Sequence, residues 1–318
     1  MTQVACIGEC MIELKQARGG GQASLFSRGY GGDTLNTSVY LARLGVGVDY
    51  ITALGDDPMS DEMVAGWAAE GVGTSRVSRL KGKLPGIYMI ETDAFGDRRF
   101  FHWRENSAAR SLMDLPETGD LLELLASYEV IYLSAITLSI YSPQGRTKLI
   151  GALDRARKHG ARIAFDTNYR ARGWSDPDVA RAVFGDAFAV SDIVLASPED
   201  LLPLYPDESD EQLMARIPGN EVVLKLLSPG SIVRFDGVSH EVRPAPITQP
   251  VVDTTAAGDS FSAAYIAARL AGAEPVEAAR AGHRLGGVVV CYPGAIIPRS
   301  AMPTDISPGP GSAHEASP

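Results

Sequence analysis

The chain has 318 residues, 45% of them hydrophobic, and a formal net charge of −10. That length and apolar content suit one large α/β core, or a core with a small appendage, and argue against disorder. No basic cluster longer than a few residues offsets the acidity, so neither nucleic acid nor an anionic membrane is an expected partner, and an anionic substrate would need locally placed arginines.

In chain order, VACIGECMIEL at 4–14 predicts a first strand, followed by a Gly-rich turn at 19–21 and a second extended piece, SLFSRGY. Its start, MTQVACIGEC, has no basic region followed by a long apolar run, and no segment approaches the ~20 apolar residues of a membrane span, so a cytoplasmic protein is expected. Cys6, Cys10 and Cys291 fit neither a disulfide framework nor a zinc pattern and are read as free thiols. GGDTLNTSVYLARLG at 31–45 then takes up helical spacing, with Leu35, Val39 and Leu44 on one side. Gly31 and Gly32 mark a close backbone approach, and Asp33 is placed to cap the helix or to meet a ligand.

Strand VDYITALG at 48–55 and helix SDEMVAGWAAEG at 60–71 continue the alternation. GIYMIE at 86–91 and RRFFHWR at 98–104, separated by a polar turn at Thr92–Asp97, predict a hairpin. With the strands near 11–30, it is read as a small sheet standing over the main body as a lid. Strand alternation puts His102 and Arg104 on one face, where a packed His and an exposed Arg are the generic alternative to a ligand role.

From Val130 the rhythm resumes with strand VIYLSAI, helix 143–158, strand RIAFD, helix 176–190 and strand DIVLAS. A helix near 199–216, EVVLKLL, SIVRF, a helix from about 256 and a last helix at 275–290 follow. This order predicts an α/β fold with a mostly parallel central sheet covered by helices on both faces, and ligands at the carboxyl ends of the strands. Asp166, Asn168 and Arg170 in FDTNYRARGW fall at such an end. MPTDISPGPGSAHEASP, rich in Pro, Gly and Ser, predicts a mobile tail over 304–318.

DTTAAGDSF at 253–261 carries the chemistry. VV at 251–252 leads in from an extended segment, and SFSAAYIAARLA leads out with helical spacing, which puts Asp259 in the first turn. Ala256, Ala257 and Gly258 leave their amides open to a ligand, and free N–H groups at a helix start attract anions. A carboxylate there either complements the helix dipole or takes a proton from a nucleophile attacking a bound phosphate. The second role describes phosphoryl transfer to an alcohol, with Asp259 as base and the three residues as an anion hole.

The residues from about Val4 to Pro303 resemble the ribokinase, or PfkB, family of carbohydrate kinases, whose signature DTxGAGD reads DTTAAGD here. The replacement of its first Gly by Ala256 points to the branch acting on 2-keto-3-deoxygluconate, and a negative φ is expected there, since only positive φ would demand Gly. The resemblance implies the ribokinase-like fold and ATP with Mg²⁺ as cofactors. It implies phosphorylation of a primary hydroxyl of a sugar acid rather than of fructose or ribose, and a homodimer or higher homo-oligomer formed through the lid. A non-catalytic sugar binder of the same fold is the alternative from another class.

It further implies substrate contacts from Gly32, Asp33, Asn36, Tyr88, His102, Arg104, Ile136 and Arg170, with His102 standing where the branch has Tyr. Arg104 and Arg170 would hold the carboxylate, although Arg170 paired with a neighbouring acid is the structural alternative. Ser197 and Lys225 would meet the nucleotide, while Asp200 stands where Glu is common and Leu227 where Gly is usual. His283 and GAIIP at 294–298 fall where the family closes its adenine pocket. No protein-built metal site is expected.

Overall fold

The computed structural model of the chain describes residues 2–16, 25–92 and 98–305. The expected turn at 19–21, all of the 92–97 turn but Thr92, and the tail beyond 305 lie outside them.

The first apolar run divides between two sheets. β1 (Val4–Ile7) enters a large sheet and β2 (Met11–Gln16) a small one, so the single strand expected over 4–14 is corrected to two. The break falls at Gly8, where a Cβ would stand 2.1 Å from the Thr34 hydroxyl, so the chain can turn only because that side chain is missing. β3 (Phe26–Gly31) pairs back on β2 and leads into α1 (Asp33–Arg43), β4 (Val48–Gly55) and α2 (Pro58–Ala69). α2 begins earlier than its apolar spacing suggests, because Asp57 caps it through Met59 N (3.0 Å) and Ser60 N (3.1 Å) ahead of Pro58.

β5 (Val77–Leu80) is a short strand that periodicity does not reveal, and the hairpin follows as β6 (Ile87–Thr92) and β7 (Arg98–Trp103), with Tyr88 opposite His102. α3 (Thr118–Leu124) and β8 (Val130–Ser134) come next. VIYLSAI does not remain extended to its end: Ser134 accepts a hydrogen bond from Thr137 N, and Ala135 and Ile136 open α4 (Ala135–Ile140). α5 (Pro143–Lys158), β9 (Arg162–Asp166), α6 (Pro177–Val190) and β10 (Ile193–Ala196) keep the predicted order.

The helix expected near 199–216 is two pieces, α7 (Pro198–Leu201) and α8 (Asp210–Arg216), separated by a stretch containing Pro203 and Pro206. β11 (Glu221–Lys225), β12 (Ser231–Phe235) and β13 (Val238–Val242) precede α9 (Ala257–Leu270) and α10 (Pro275–Val289). Val251 and Val252 belong to no strand and are exposed, so the extended lead-in is a surface segment.

The large sheet has the order β13-β12-β11-β10-β9-β8-β1-β4-β5, parallel from β11 to β5 and antiparallel at β12 and β13. The small sheet has the order β3-β2-β6-β7. Alternate residues of the central strands enter opposite cores. Val4, Cys6, Val130 and Tyr132 face the side of α1, α2, α9 and α10, and Ala5, Ile7, Ile131 and Leu133 face that of α5 and α6. Burial on both faces is why these strands read as unbroken apolar runs. No helix among the described residues is long and apolar enough to cross a membrane.

Candidate active site

α1 and α9 lie side by side with their N-termini together. Asn36, in the first turn of α1, donates from Nδ2 to Asp259 Oδ2 at 2.8 Å, and the Thr37 hydroxyl donates to Asp259 O at 3.3 Å. Asp259 is in the first turn of α9, as its sequence context predicts, and its carboxyl is held against protein rather than pointing into solvent. Burial pushes its pKa up to about 7; the charges of Asp33 and Asp166 add to the rise, and Asn36 and Lys225 oppose it. A carboxylate so placed is half protonated near neutrality, which suits a group that must take up a proton.

The ends of the parallel strands surround this pair. Asp166 closes β9 and accepts from Lys225 Nζ (2.9 Å), Ser262 Oγ (2.8 Å) and Tyr132 OH (3.5 Å). Lys225 ends β11, and a Cβ on Gly258 would stand 3.7 Å from its Nζ, which places a cation beside the α9 start. Burial alone would lower the Lys225 pKa, but Asp166, Asp200 and Asp259 together raise it, so it stays charged. Asp33 accepts from Asn168 Nδ2 at 2.8 Å; burial raises its pKa, and hydrogen bonds from Ser134, the Thr34 N–H and Asn168 oppose the rise.

The backbone of the α9 start departs from expectation. Ala256 has φ 61° and ψ 15°, in the left-handed region, not at the negative φ anticipated. That conformation costs an L-residue about 1–2 kcal/mol. The Ala257 N–H is donated to Thr254 O at 3.2 Å, whereas the Gly258 N–H, in the first turn, has no intrahelical acceptor. Ala256→Gly should therefore raise stability, by about 1 kcal/mol or less once the greater freedom of Gly in the unfolded chain is subtracted. Urea unfolding of the two proteins checks this, and a clear loss would contradict it.

The two arginines proposed for a carboxylate both have acidic neighbours. Arg170 donates to Tyr169 O (2.7 Å) and Asp200 Oδ1 (3.2 Å) and keeps 58% of its side chain exposed, so it remains open to a ligand. Asp200 also accepts from Thr167, Tyr169 N and Ser197 Oγ, which makes Ser197 part of the same network. Arg104 is paired with Glu9, a buried carboxylate whose only sequence signal is a Glu inside an apolar run. His102 and Tyr88 stack at 6.0 Å on the small sheet; burial, then the charges of Arg104 and Arg172, lower the His102 pKa and keep the ring neutral.

Tyr88 OH donates to Glu13 at 2.5 Å, and a Cβ on Gly31 would meet that hydroxyl at 2.4 Å, which brings Tyr88 to the entry of α1 beside Gly32. Ile136 is half-buried in α4, its side chain is apolar, and its carbonyl accepts from Ser139 Oγ at 2.8 Å. His283 lies outside this cluster: it hydrogen-bonds Ser231 Oγ at 2.9 Å and packs edge-on against Phe261, and burial lowers its pKa to about 4. Among the described residues no group of three His, Cys, Asp or Glu is arranged to hold a metal ion, and the three cysteines are unpaired.

A buried carboxylate at the start of one helix, bound to the Asn36 side-chain amide at the start of another, with a lysine and the Gly258 N–H alongside, is a geometry suited to phosphoryl transfer. Known proteins agree. The chain is 42% identical to a 2-dehydro-3-deoxygluconokinase of Dickeya dadantii (strain 3937), over 94% of its own length and 98% of the relative's. Its fold matches the crystal structure of a 2-dehydro-3-deoxygluconokinase from Thermotoga maritima with TM-score 0.80 at 23% identity, covering 93% and 96% of the two chains. It also matches a putative ribokinase II from E. coli in complex with ATP and Mg²⁺, with TM-score 0.79 at 24% identity, covering 93% and 94%. The model of the pfkB family carbohydrate kinases matches residues 1–302, and the chain belongs to that family.

Proposed function

We propose that this protein is a MgATP-dependent kinase of 2-keto-3-deoxygluconate that phosphorylates the substrate's O6. The observation that carries the reading is the Asn36-bound Asp259 at the start of α9, beside Lys225 and the Gly258 N–H, where burial raises its pKa. Asp259 takes the proton from the primary hydroxyl as its oxygen attacks the γ-phosphorus, the bond to ADP breaks, and the Gly258 amide with Lys225 stabilises charge on the group in transit. The proton on Asp259 leaves to solvent after product departs.

ATP brings its Mg²⁺ on the phosphates. That suits a site whose carboxylates are already engaged by Lys225, Ser262, Thr167 and Ser197, since Mg²⁺ keeps several waters and asks the protein for few ligands. Arg104 and Arg170 favour an acid over a neutral sugar, and the naming of the Dickeya relative supports the same substrate. The small sheet would act as a lid that excludes water, and Trp103, 57% exposed on it, fits a contact between two copies.

ADP release measured against a panel of sugar acids and neutral sugars tests the reading. Turnover with 2-keto-3-deoxygluconate and little with fructose or ribose is expected; heat of binding without ADP would indicate a binder instead. Arg170→Ala should raise KM for the sugar acid about tenfold or more, the worth of one charge-assisted hydrogen bond, and change KM for a neutral sugar far less. Equal effects on both would remove carboxylate recognition from Arg170.

A further inference from the structure

The turn between β1 and β2 carries a carboxylate that the reaction above leaves without a task. Glu9 is 2% exposed, and an ionised side chain at such a position is tolerated only when paired. Its partner is Arg104, whose terminal nitrogen donates to Glu9 Oε2. The pair is unfinished. Glu9 Oε1 and Arg104 Nε, both buried, have no hydrogen-bond partner among the described residues, nor do the buried Ser107 and Tyr141 hydroxyls. Ser107 N–H is donated to Arg104 O at 3.1 Å, and Tyr141 lies near enough to Glu9 for that charge, after burial, to push its phenol up.

Packing leaves Glu9 little freedom. A Cβ on Gly86 would stand 3.0 Å from Glu9 Oε1, and one on Gly32 would stand 2.3 Å from Glu9 O. Gly32 caps α1, the helix that supplies Asp33 and Asn36, and Arg104 follows β7 two residues after His102. Glu9 thus touches the α1 start through its main chain and the small sheet's arginine through its side chain.

From this we infer that Glu9 is a positioning residue for sugar-acid recognition, fixing the Arg104 guanidinium, whose side chain keeps 20% of its surface exposed, for the substrate. The inference rests on the sugar-acid reading above. An arginine loses rotamer freedom when it binds, and holding it beforehand moves that cost from binding to folding. Glu9 touches no reacting atom, so its removal acts on sugar affinity and not on the transfer step.

Steady-state kinetics of wild type, Glu9→Ala, Glu9→Asp and Glu9→Gln test it. Glu9→Ala should raise KM for 2-keto-3-deoxygluconate about tenfold or more, with kcat and KM for MgATP changed less than about threefold. Glu9→Asp, one methylene too short, should move KM the same way if the alanine variant does not fold. Glu9→Gln keeps the acceptor oxygen and should recover most of the loss. Glu9→Ala combined with Arg104→Ala should be no worse than Arg104→Ala alone.

An unchanged sugar KM, or equal rises in both KM values, overturns the inference while leaving the kinase reading standing. A wild-type enzyme that turns over only neutral sugars overturns both.

Discussion

Asp259→Asn is expected to lower kcat by about two to four orders of magnitude, the usual worth of a general base, with ATP binding kept. The amide still accepts from Asn36 through its oxygen, so the α1–α9 contact survives and the loss reports proton transfer. In wild type, kcat/KM should fall about tenfold per pH unit below about 7, where burial and the Asp33 charge hold the carboxyl half protonated, and should level off above it. The variant should lose that limb.

Stability should move the other way. The folded protein keeps the Asp259 proton up to about pH 7, whereas the unfolded chain releases it near the ordinary 3.8, so folding stability falls as pH rises across that window. Above it the destabilisation is constant, and at pH 8 Asp259→Asn should melt at a higher temperature than wild type. Near-normal activity, or a lower melting temperature, would remove Asp259 from the assigned role.

Lys225→Met is the second large effect. Lys225 is the cation bonded to Asp166, at 2.9 Å with side-chain exposures of 16% and 4%, and its charge also acts on Asp200 and Asp259. Breaking a buried pair from one side costs about 3–5 kcal/mol, because the remaining charge is left uncompensated. Urea unfolding should show a loss near the lower end, since Ser262 and Tyr132 still donate to Asp166. Asp259, relieved of a nearby positive charge, should titrate higher, moving the acid limb of the rate profile to more alkaline pH. An unshifted limb would show that Lys225 does not act on the base.

Much of the architecture was legible because burial leaves a plain pattern. β4, α5 and β9 coincide with the runs read for them, and Asp259 falls in the first turn expected from DTTAAGD and the apolar spacing behind it. What escaped depends on contacts between distant segments or on short elements. β5 and β13 are short and little buried, so neither leaves an apolar run to read. Glu9 and Arg104 are 95 positions apart and Lys225 and Asp166 59, so neither pairing can be read from local sequence. The left-handed backbone at Ala256 runs against the local preference of Ala, the kind of conflict that concentrates at sites where function overrides propensity.

The hydrogen bond between Asn36 and Asp259 spans 223 positions. A chain still emerging from the ribosome holds Asn36 long before it holds Asp259, and truncation anywhere ahead of α9 removes the proposed base. On that proposal, phosphotransfer requires synthesis at least into α9, and two fragments divided between those positions should regain it only when they reassociate.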